Sequence, residues 1–428
     1  MAGTGDGVRA SASAAGGGTL PHQQVRKLLQ EAFAGRVSGR SVLVLIPDHT
    51  RSLPLPMLFR AMVEALDEAA SLTFLVALGT HPPLSQTRLN TLVGLSESER
   101  TGRYRHVDIV NHAWHDPAAL VSLGTLPRER VQEIAGEGWH PTLGGDVDVR
   151  IARAVTEHDE VIILGPTFPH EVVGFSGGVK YYFPGVSDGD MINVTHWLGA
   201  LAGVRRTIGI EDTPVRALIN EAYRLVPTPT TLVGLVVDAG ELAGVFVGEP
   251  LATWRHAVAM SAQRHVRWVD APFHRILSVA PPMYDELWTA GKAMYKLEPA
   301  LAEGGELIIF APHLDTISRV HGRWIEQIGY HVLPYFLAQW DRFRDVPLGV
   351  LAHSTHVRGD GAMEGGVERP RAQVTLASSI PPEVCAQLSL GWADPDEIRL
   401  DEFRDREDEG ILYVPKAGET LYKTRGAP

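Results

Sequence analysis

Cysteine is almost absent from this chain of 428 residues, since Cys385 is the only one. A single thiol excludes an internal disulfide framework and a zinc site built on several cysteine ligands. Apolar runs are short, and none approaches the roughly 20 residues that a membrane-spanning helix needs. Positive charge is also scarce, because 39 Lys and Arg stand against 51 Asp and Glu, a formal charge of −12. This balance argues against nucleic acid as a partner and against a basic membrane-binding surface.

The N-terminal residues 1–20 are rich in Gly, Ala and Ser and contain no apolar core segment. Such a composition predicts a disordered tail rather than a signal peptide. With neither a signal peptide nor a membrane span in view, the sequence indicates a cytoplasmic protein.

Short apolar runs alternate with longer amphipathic stretches over the rest of the chain. We predict strands at 41–46, 72–78, 107–110, 161–164, 231–237, 275–280, 306–310, 348–351 and 373–377. We predict helices at 55–69, 213–225, 251–264, 286–302 and 315–328. This alternation favours an α/β fold with mostly parallel sheets. The length favours two domains, which we divide between 21–268 and 272–404.

Polar side chains follow six of the predicted strands at their carboxyl ends. They are Asp48-His49-Thr50-Arg51, His81, His170, Lys292, His313 and His353. Open α/β sheets bind ligands in the crevice beyond these strand ends. The pattern therefore predicts a ligand site there, although any single strand end would be weak evidence.

The most informative segment is 169–185, PHEVVGFSGGVKYYFPG. Ser176-Gly177-Gly178 permits a tight turn that can approach a ligand closely. Lys180 lies just past this turn, and His196 follows 16 residues later near the start of a predicted helix. One compact segment thus offers a lysine and two histidines.

Three function classes compete on the residues alone. A nicotinamide-dependent oxidoreductase lacks the expected G-x-G-x-x-G after its first strand. A zinc-dependent hydrolase or lyase would use the same histidines, and a binding protein would keep the fold without activity. His112/His115 and His353/His356 have metal-like spacings, but neither pair has a third ligand on an obvious helix face, so we set both aside.

Several of these motifs resemble the lactate racemase family. They are DHTR after one strand, ALGTHPP after another, and GPTFPHEVVGFSGGVKYYFPGVS followed by a Thr-His pair. WTAGK in the second half lies where that family carries a functional lysine, so the resemblance covers nearly the whole chain. It implies two α/β domains with the active site in the cleft between them, and a first domain rejoined by residues 405–428.

The resemblance also implies a cofactor, the nickel-pincer nucleotide (a pyridinium-3-thioamide-5-thiocarboxylic acid mononucleotide). Lys180 would carry it through a thioamide bond, and His196 would bind the nickel. A square-planar Ni(II) centre with mixed sulfur and nitrogen donors is chemically reasonable. The remaining cofactor-binding residues would be Asp48, Thr50, Arg51, Ser176, Gly177 and Gly178.

The implied activity is racemisation or epimerisation of a 2-hydroxyacid. His81 and His170 would act as an acid/base pair on the two faces of C2, while the C2 hydrogen leaves as hydride to the pyridinium ring. The substrate would be bound by Arg51, Lys292, Trp288 and Thr289. The partners would be this small acid and the proteins that build the cofactor.

The chain departs from the family pattern just before Lys292. The family has an aromatic residue and a glutamine where this sequence has Trp288 and Thr289. Threonine offers one hydroxyl in place of an amide, which indicates that a bulkier or differently polar 2-hydroxyacid is as good a candidate as lactate.

Overall fold

The computed structural model describes residues 7–79 and 81–426, so the first six residues of the expected tail lie outside it. The strands are β1 Val8–Ser13, β2 Ser41–Pro47, β3 Ser71–Ala77, β4 Val107–Asn111, β5 Leu120–Leu126, β6 Val147–Ala152, β7 Glu160–Pro166, β8 Pro169–His170, β9 Gly174–Phe175, β10 Thr230–Asp238, β11 Glu241–Gly248, β12 Val266–Val269, β13 Phe273–Val279, β14 Leu301–Ala311, β15 Gly361–Glu364, β16 Val367–Pro370, β17 Gln373–Ser378, β18 Gly391–Ala393, β19 Ile411–Val414 and β20 Leu421–Thr424.

The helices lie between these strands and at the ends of the sheets. They are α1 His22–Phe33, α2 Leu55–Ala65, α3 Gln86–Leu92, α4 Glu97–Thr101, α5 Arg128–Ala135, α6 Ala154–Glu157, α7 Gly189–Ala202, α8 Val204–Thr207, α9 Pro214–Tyr223, α10 Pro250–His265, α11 Leu287–Ala290, α12 Lys292–Tyr295, α13 Gly322–Ile328, α14 Leu333–Ala338, α15 Trp340–Phe343, α16 Leu348–Arg358 and α17 Pro382–Gln387. Among the described residues, no helix is long and apolar enough to cross a lipid bilayer.

The larger sheet has the strand order β1-β11-β10-β7-β2-β3-β4. The five strands from β10 to β4 run parallel, and β11 and β1 add an antiparallel edge. Chain order runs outward from β2 through β3 to β4 and then returns to β7 on the opposite side of β2. This reversal is a topological switch point, where open α/β sheets leave a crevice at their carboxyl edge.

The smaller sheet has the order β18-β17-β14-β13-β19, and its neighbouring strands are all parallel. The predicted α/β fold with mostly parallel sheets is therefore confirmed. All strands of the larger sheet precede the proposed boundary at 269–271, and all strands of the smaller sheet follow it.

Alternating side chains of β2 explain why the larger sheet is covered on both faces. Leu43 and Leu45 join one buried apolar cluster, whereas Val42, Val44 and Ile46 join another on the opposite face. A parallel strand buried on both faces reads as a continuous apolar run, as SVLVLIP does. The cluster that contains Leu43 continues into the smaller sheet, so one apolar core connects both sheets.

Three sequence predictions fail in the second half of the chain. The segment predicted as a strand at 348–351 begins helix α16, because a short apolar run cannot by itself distinguish a buried helix from a strand. The helix predicted at 286–302 is divided into α11, α12 and a short 3₁₀ turn that leads into β14. The helix predicted at 315–328 is shortened to α13.

The chain termini also differ from the predictions. Val8–Ser13, expected to be part of a disordered tail, forms an antiparallel edge strand beside β11. Ile411–Val414 pairs with β13 in the smaller sheet, so the expected return of 405–428 to the first domain is wrong for this strand. Of the two strands in this C-terminal segment, only β20 pairs with a strand of the first half, which is β12.

Gly174 fixes the start of the Gly-rich segment against the chain that precedes α9. Its φ is +81°, and a Cβ built on it would lie 1.8 Å from the carbonyl oxygen of Ile210. The Gly209 amide stabilises this close approach of the two segments by donating a hydrogen bond to the Gly174 carbonyl at 2.9 Å. Only glycine satisfies both the positive φ and this backbone contact.

We therefore expect Gly174→Ala to destabilise the protein more than a substitution that imposes only the positive φ. Gly144→Ala is the matched control, because Gly144 has a φ of +89° and open space around the Cβ position. The control should lose about 1–2 kcal/mol of unfolding free energy, and Gly174→Ala about 1–3 kcal/mol more. Urea denaturation measures both, and equal losses would show that the contact with Ile210 does not matter.

Candidate active site

The candidate site is a cavity of about 150 Å3 at the switch point of the larger sheet. Asp48 follows β2, His81 follows β3 and His170 ends β8, just after β7. Because β2 lies between β7 and β3, the two histidines approach from either side of the strand that carries Asp48. Helices α11, α12 and α16 supply the wall from the second half of the chain.

The structure brings most of the sequence-predicted site residues into this cavity. It is lined by Asp48, Arg51, His81, His170, Ser176, Gly177, Lys180, His196, Trp288, Thr289 and Lys292. The other two predicted residues lie just outside it. Thr50 borders a smaller neighbouring cavity, and Gly178 packs on the Trp254 ring.

Asp48 is a buried carboxylate that orients His81. One of its oxygens accepts hydrogen bonds from the Thr50 amide at 3.0 Å and the Thr50 hydroxyl at 2.7 Å, and the other contacts His81 Nδ1. Burial alone would raise the pKa of Asp48, but His81, Arg51 and Thr50 together hold it well below its usual range. An ionised Asp48 accepts the Nδ1 proton of His81, which leaves Nε2 with the lone pair that a base needs.

His170 has two different partners at one ring nitrogen. Its Nδ1 lies 3.2 Å from the Val172 amide, which donates to it, and 3.3 Å from Glu171 Oε2. Burial, together with the nearby charges of Lys180 and Arg51, lowers the pKa of His170 well below its usual value. The neutral ring can therefore exist with Nδ1 bare towards Val172, or with Nδ1 protonated towards Glu171.

Lys180 is a buried amine whose protonated form is destabilised. Burial and the adjacent Arg51 charge lower its pKa to about 8, while Glu171 acts in the opposite direction. This side chain therefore loses its proton more readily than an ordinary lysine. The free amine is the nucleophile that covalent attachment of a cofactor requires.

His196 presents one defined nitrogen to the site from helix α7. Its Nδ1 lies 2.7 Å from the Ile192 carbonyl and so carries the proton, which leaves Nε2 as an acceptor or metal ligand. Burial and the nearby Lys180 charge lower the pKa of His196 to about 4, so the ring is neutral.

The Gly-rich turn is held by partners from two helices. Trp254 of α10 donates its indole N–H to the Ser176 carbonyl at 2.8 Å. Arg216 of α9 donates to the carbonyls of Phe175 at 2.5 Å and Gly177 at 3.4 Å, and its guanidinium lies 3.9 Å from the Trp254 ring centroid. These contacts fix the backbone that leads into Lys180.

Lys292 and its neighbours form the opposite wall. The Lys292 nitrogen is buried with no hydrogen-bond partner among the described residues and lies 4.6 Å from the Tyr284 ring centroid. Burial and the Arg51 charge lower its pKa well below the usual value. The Thr289 hydroxyl donates to the Glu286 carbonyl at 2.9 Å, so its proton is already committed.

Several polar residues of this cavity were given no site role by the sequence, among them Glu171, Tyr181, Tyr295 and His356, and His353 was expected only as a strand-end group. Glu171 stands directly after His170, and that adjacency was an available signal. His353 and His356 have a metal-like spacing, but the sequence shows no third ligand on an obvious helix face. Helix α16 places both at the cavity. His112, by contrast, contacts the Ser187 carbonyl at 2.8 Å and lies outside it.

The residues present fit a cofactor that brings most of its own metal donors. Within residues 7–79 and 81–426, no three His, Cys, Asp or Glu side chains are grouped so as to hold a metal ion. Lys180 offers a point of attachment, and His196 offers a single neutral nitrogen in the same cavity. One protein nitrogen suffices where a bound pincer supplies the other ligands.

Comparison with known proteins shows a likeness to lactate racemases. Residues 23–137 and 142–209 match the family model described as the lactate racemase N-terminal domain. The lactate racemase of Thermoanaerobacterium thermosaccharolyticum is 23% identical over 318 residues, 70% of this chain and 66% of that protein. The lactate racemase of Lactiplantibacillus plantarum is 24% identical over 292 residues, 66% of this chain and 62% of that protein. The match thus spans just under two thirds of each relative.

Two solved structures share the fold over nearly their full length. A protein from Thermotoga maritima superposes with a TM-score of 0.87 at 30% identity, covering 95% of this chain and 99% of its own. The lactate racemase apoprotein from Thermoanaerobacterium thermosaccharolyticum superposes with a TM-score of 0.72 at 16% identity, covering 99% and 97%. The second likeness concerns the fold alone.

The lowered pKa of Lys180 can be measured without any cofactor. In apoprotein labelled with ¹³C-lysine, the Lys180 side-chain signal should titrate with a midpoint near pH 8, because burial destabilises its ammonium form. Arg51→Met should move the midpoint upward, since a neighbouring positive charge is removed. Lys180→Met assigns the signal, and a midpoint near the ordinary value of about 10.4 would contradict the prediction.

Proposed function

We propose that this chain, which resembles lactate racemases, racemises or epimerises a 2-hydroxyacid with the aid of a nickel-pincer nucleotide. The observation that carries the proposal is one cavity that contains two histidines, each beside a carboxylate, together with a buried lysine and a third histidine. Racemisation needs an acid/base group for each face of C2, and this arrangement offers two.

Lys180 and His196 are the residues that would hold the cofactor and its nickel. The lowered pKa of Lys180 favours the free amine that attachment requires, and the contact of His196 Nδ1 with Ile192 leaves Nε2 for the metal. Ser176, Gly177 and Arg51 would line the bound nucleotide. When bound, this group would supply the acceptor that takes the C2 hydrogen as hydride and returns it.

The chain's own residues would bind and orient the acid. Arg51 and the unpaired Lys292 are the cationic groups at the cavity for the substrate carboxylate. Burial strengthens such an ion pair, because little water remains to screen it. An anion would also restore the charged form of Lys292, which burial alone disfavours.

The two histidines would move the proton of the substrate hydroxyl. Nε2 of His81 takes the proton from one enantiomer, while Asp48 stabilises the resulting imidazolium through Nδ1. Nε2 of His170 does the same for the other enantiomer, and its protonated Nδ1 then donates a hydrogen bond to Glu171. Each ring then returns its proton when the reaction runs in the opposite direction.

The partners follow from this chemistry and remain part of the proposal. The protein would act on a small acid in the cytoplasm and would receive its cofactor from the proteins that build it. No described feature calls for nucleic acid or a membrane in this role.

Cofactor loading separates the roles of Lys180 and His196. Protein made together with the cofactor-building enzymes should show a mass adduct on the Lys180 peptide, and apoprotein should be folded but unmodified. Lys180→Met should abolish the adduct, whereas His196→Ala should keep the adduct and lose nickel. His115→Ala, at an exposed histidine outside the cavity, should keep both. Full nickel in His196→Ala would show that the ligand is wrongly assigned.

The fate of the C2 hydrogen separates this mechanism from simple two-base proton abstraction. A substrate deuterated at C2 should keep its label through racemisation in ordinary water and should react more slowly than the protiated form. His81→Ala and His170→Ala should each lower kcat in both directions by roughly 10²–10⁴-fold, the usual contribution of an acid/base group. Rapid loss of deuterium to the solvent, measured by mass spectrometry, would contradict the hydride mechanism even if racemisation were observed.

A further inference from the structure

Two histidines of the cavity have no part in the chemistry proposed above. His353 and His356 lie on helix α16, line the cavity, and expose only 7% and 3% of their surface. Neither Nε2 has a hydrogen-bond partner among the described residues. A buried polar atom without a partner costs roughly 1–3 kcal/mol, so two of them at one cavity indicate a missing ligand.

Aromatic neighbours hold the His353 and His356 rings in place. His353 stacks on Trp288 with ring centroids 3.9 Å apart and an interplanar angle of 27°. Trp288 also contacts His321, which directly precedes α13, with ring centroids 4.4 Å apart. His356 meets Tyr295 edge-on at 6.4 Å. Ring packing orients both imidazoles, while their buried Nε2 atoms have no partner among the described residues.

The character of these nitrogens selects the kind of group they can bind. Burial lowers the pKa of His353 well below its usual value and that of His356 to about 3, so both rings are neutral. A neutral imidazole has one donor and one acceptor, as has a hydroxyl group. A carboxylate would be better bound by Arg51 and by Lys292, whose charged form an anion would restore, at the same cavity.

We propose that His353 and His356 form a hydroxyl-binding subsite, and that the substrate is a 2-hydroxyacid with at least one further hydroxyl beyond C2. The inference rests on the proposed function, because it assigns the substrate class of that same site. With the carboxylate at Arg51 and Lys292, the additional hydroxyl is bound by the α16 imidazoles and the carbon chain packs beside the Trp288 ring. A purely aliphatic acid would leave both imidazoles unpaired.

The direct test compares two pairs of acids on the loaded enzyme. Glycerate and lactate differ by one hydroxyl at C3, and 2,4-dihydroxybutanoate and 2-hydroxybutanoate differ by one at C4. In at least one pair kcat/KM should favour the hydroxylated acid by about tenfold or more, since its absence leaves buried groups unsatisfied. Malate, whose second group is a carboxylate, should be the poorer substrate.

Substitutions of the two histidines test whether they cause this preference for the hydroxylated acid. His353→Phe keeps the ring that stacks on Trp288 but removes both nitrogens, and His356→Phe does the same beside Tyr295. Each should reduce the ratio of the favoured pair several-fold, whereas Gln at either position, which can still hydrogen-bond, should retain most of it. His321→Phe is the matched control, because His321 also contacts Trp288 but does not line the cavity, and should leave the ratio unaltered.

A binding measurement gives an independent readout. In ¹⁵N-histidine spectra of the wild-type protein, the His353 and His356 nitrogens should shift with the hydroxylated acid and much less with its deoxy partner. Equal kcat/KM within both pairs, or a preference for malate, would overturn the subsite while leaving racemisation intact. Loaded enzyme that racemises none of these acids and shows no histidine shift would overturn both proposals.

Discussion

The burial of several basic groups around one small cavity is the constraint on which the site depends. Arg51, Lys180, Lys292 and Lys296 share this region with three acidic side chains, Asp48, Glu171 and Glu419. Burial and mutual repulsion lower the pKa of Lys180 and Lys296 to about 8 and that of Lys292 further below its usual value. The cavity is therefore short of negative charge, which an anionic nucleotide and a substrate carboxylate would both supply.

The two histidines proposed for acid/base chemistry each stand beside a carboxylate in these positively charged surroundings. Asp48 contacts Nδ1 of His81, with Thr50 holding the carboxylate in place. Glu171 offers a similar contact to His170, although the Val172 amide competes for the same nitrogen. The two histidines are thus related in role but not identical in environment.

The sequence predicted the first half of the site well, because its groups follow strands that can be recognised by their apolar runs. Asp48, His81 and His170 stand directly after such strands, and the Gly-rich turn marks Lys180. The second half was harder. LGVLA before His353 has no periodicity that separates a helix from a strand, so the positions of His353 and His356 could not be derived. The partners of Ile411–Val414 and of Val8–Ser13 are likewise set by distant strands, which local patterns do not reveal.

The cavity is lined by residues from both halves of the chain, to which the proposed function gives different roles. The matched family region ends at residue 209 and includes every group assigned to acid/base chemistry, cofactor attachment and the metal. Trp288, Lys292, His353 and His356 lie beyond it, on short helices around the smaller sheet. Side chains on these helices can change without disturbing the strands that hold Asp48, His81 and His170. On the proposed function, the region matched by the family model would carry the reaction chemistry, and the wall formed by α11, α12 and α16 would contribute to the choice of acid.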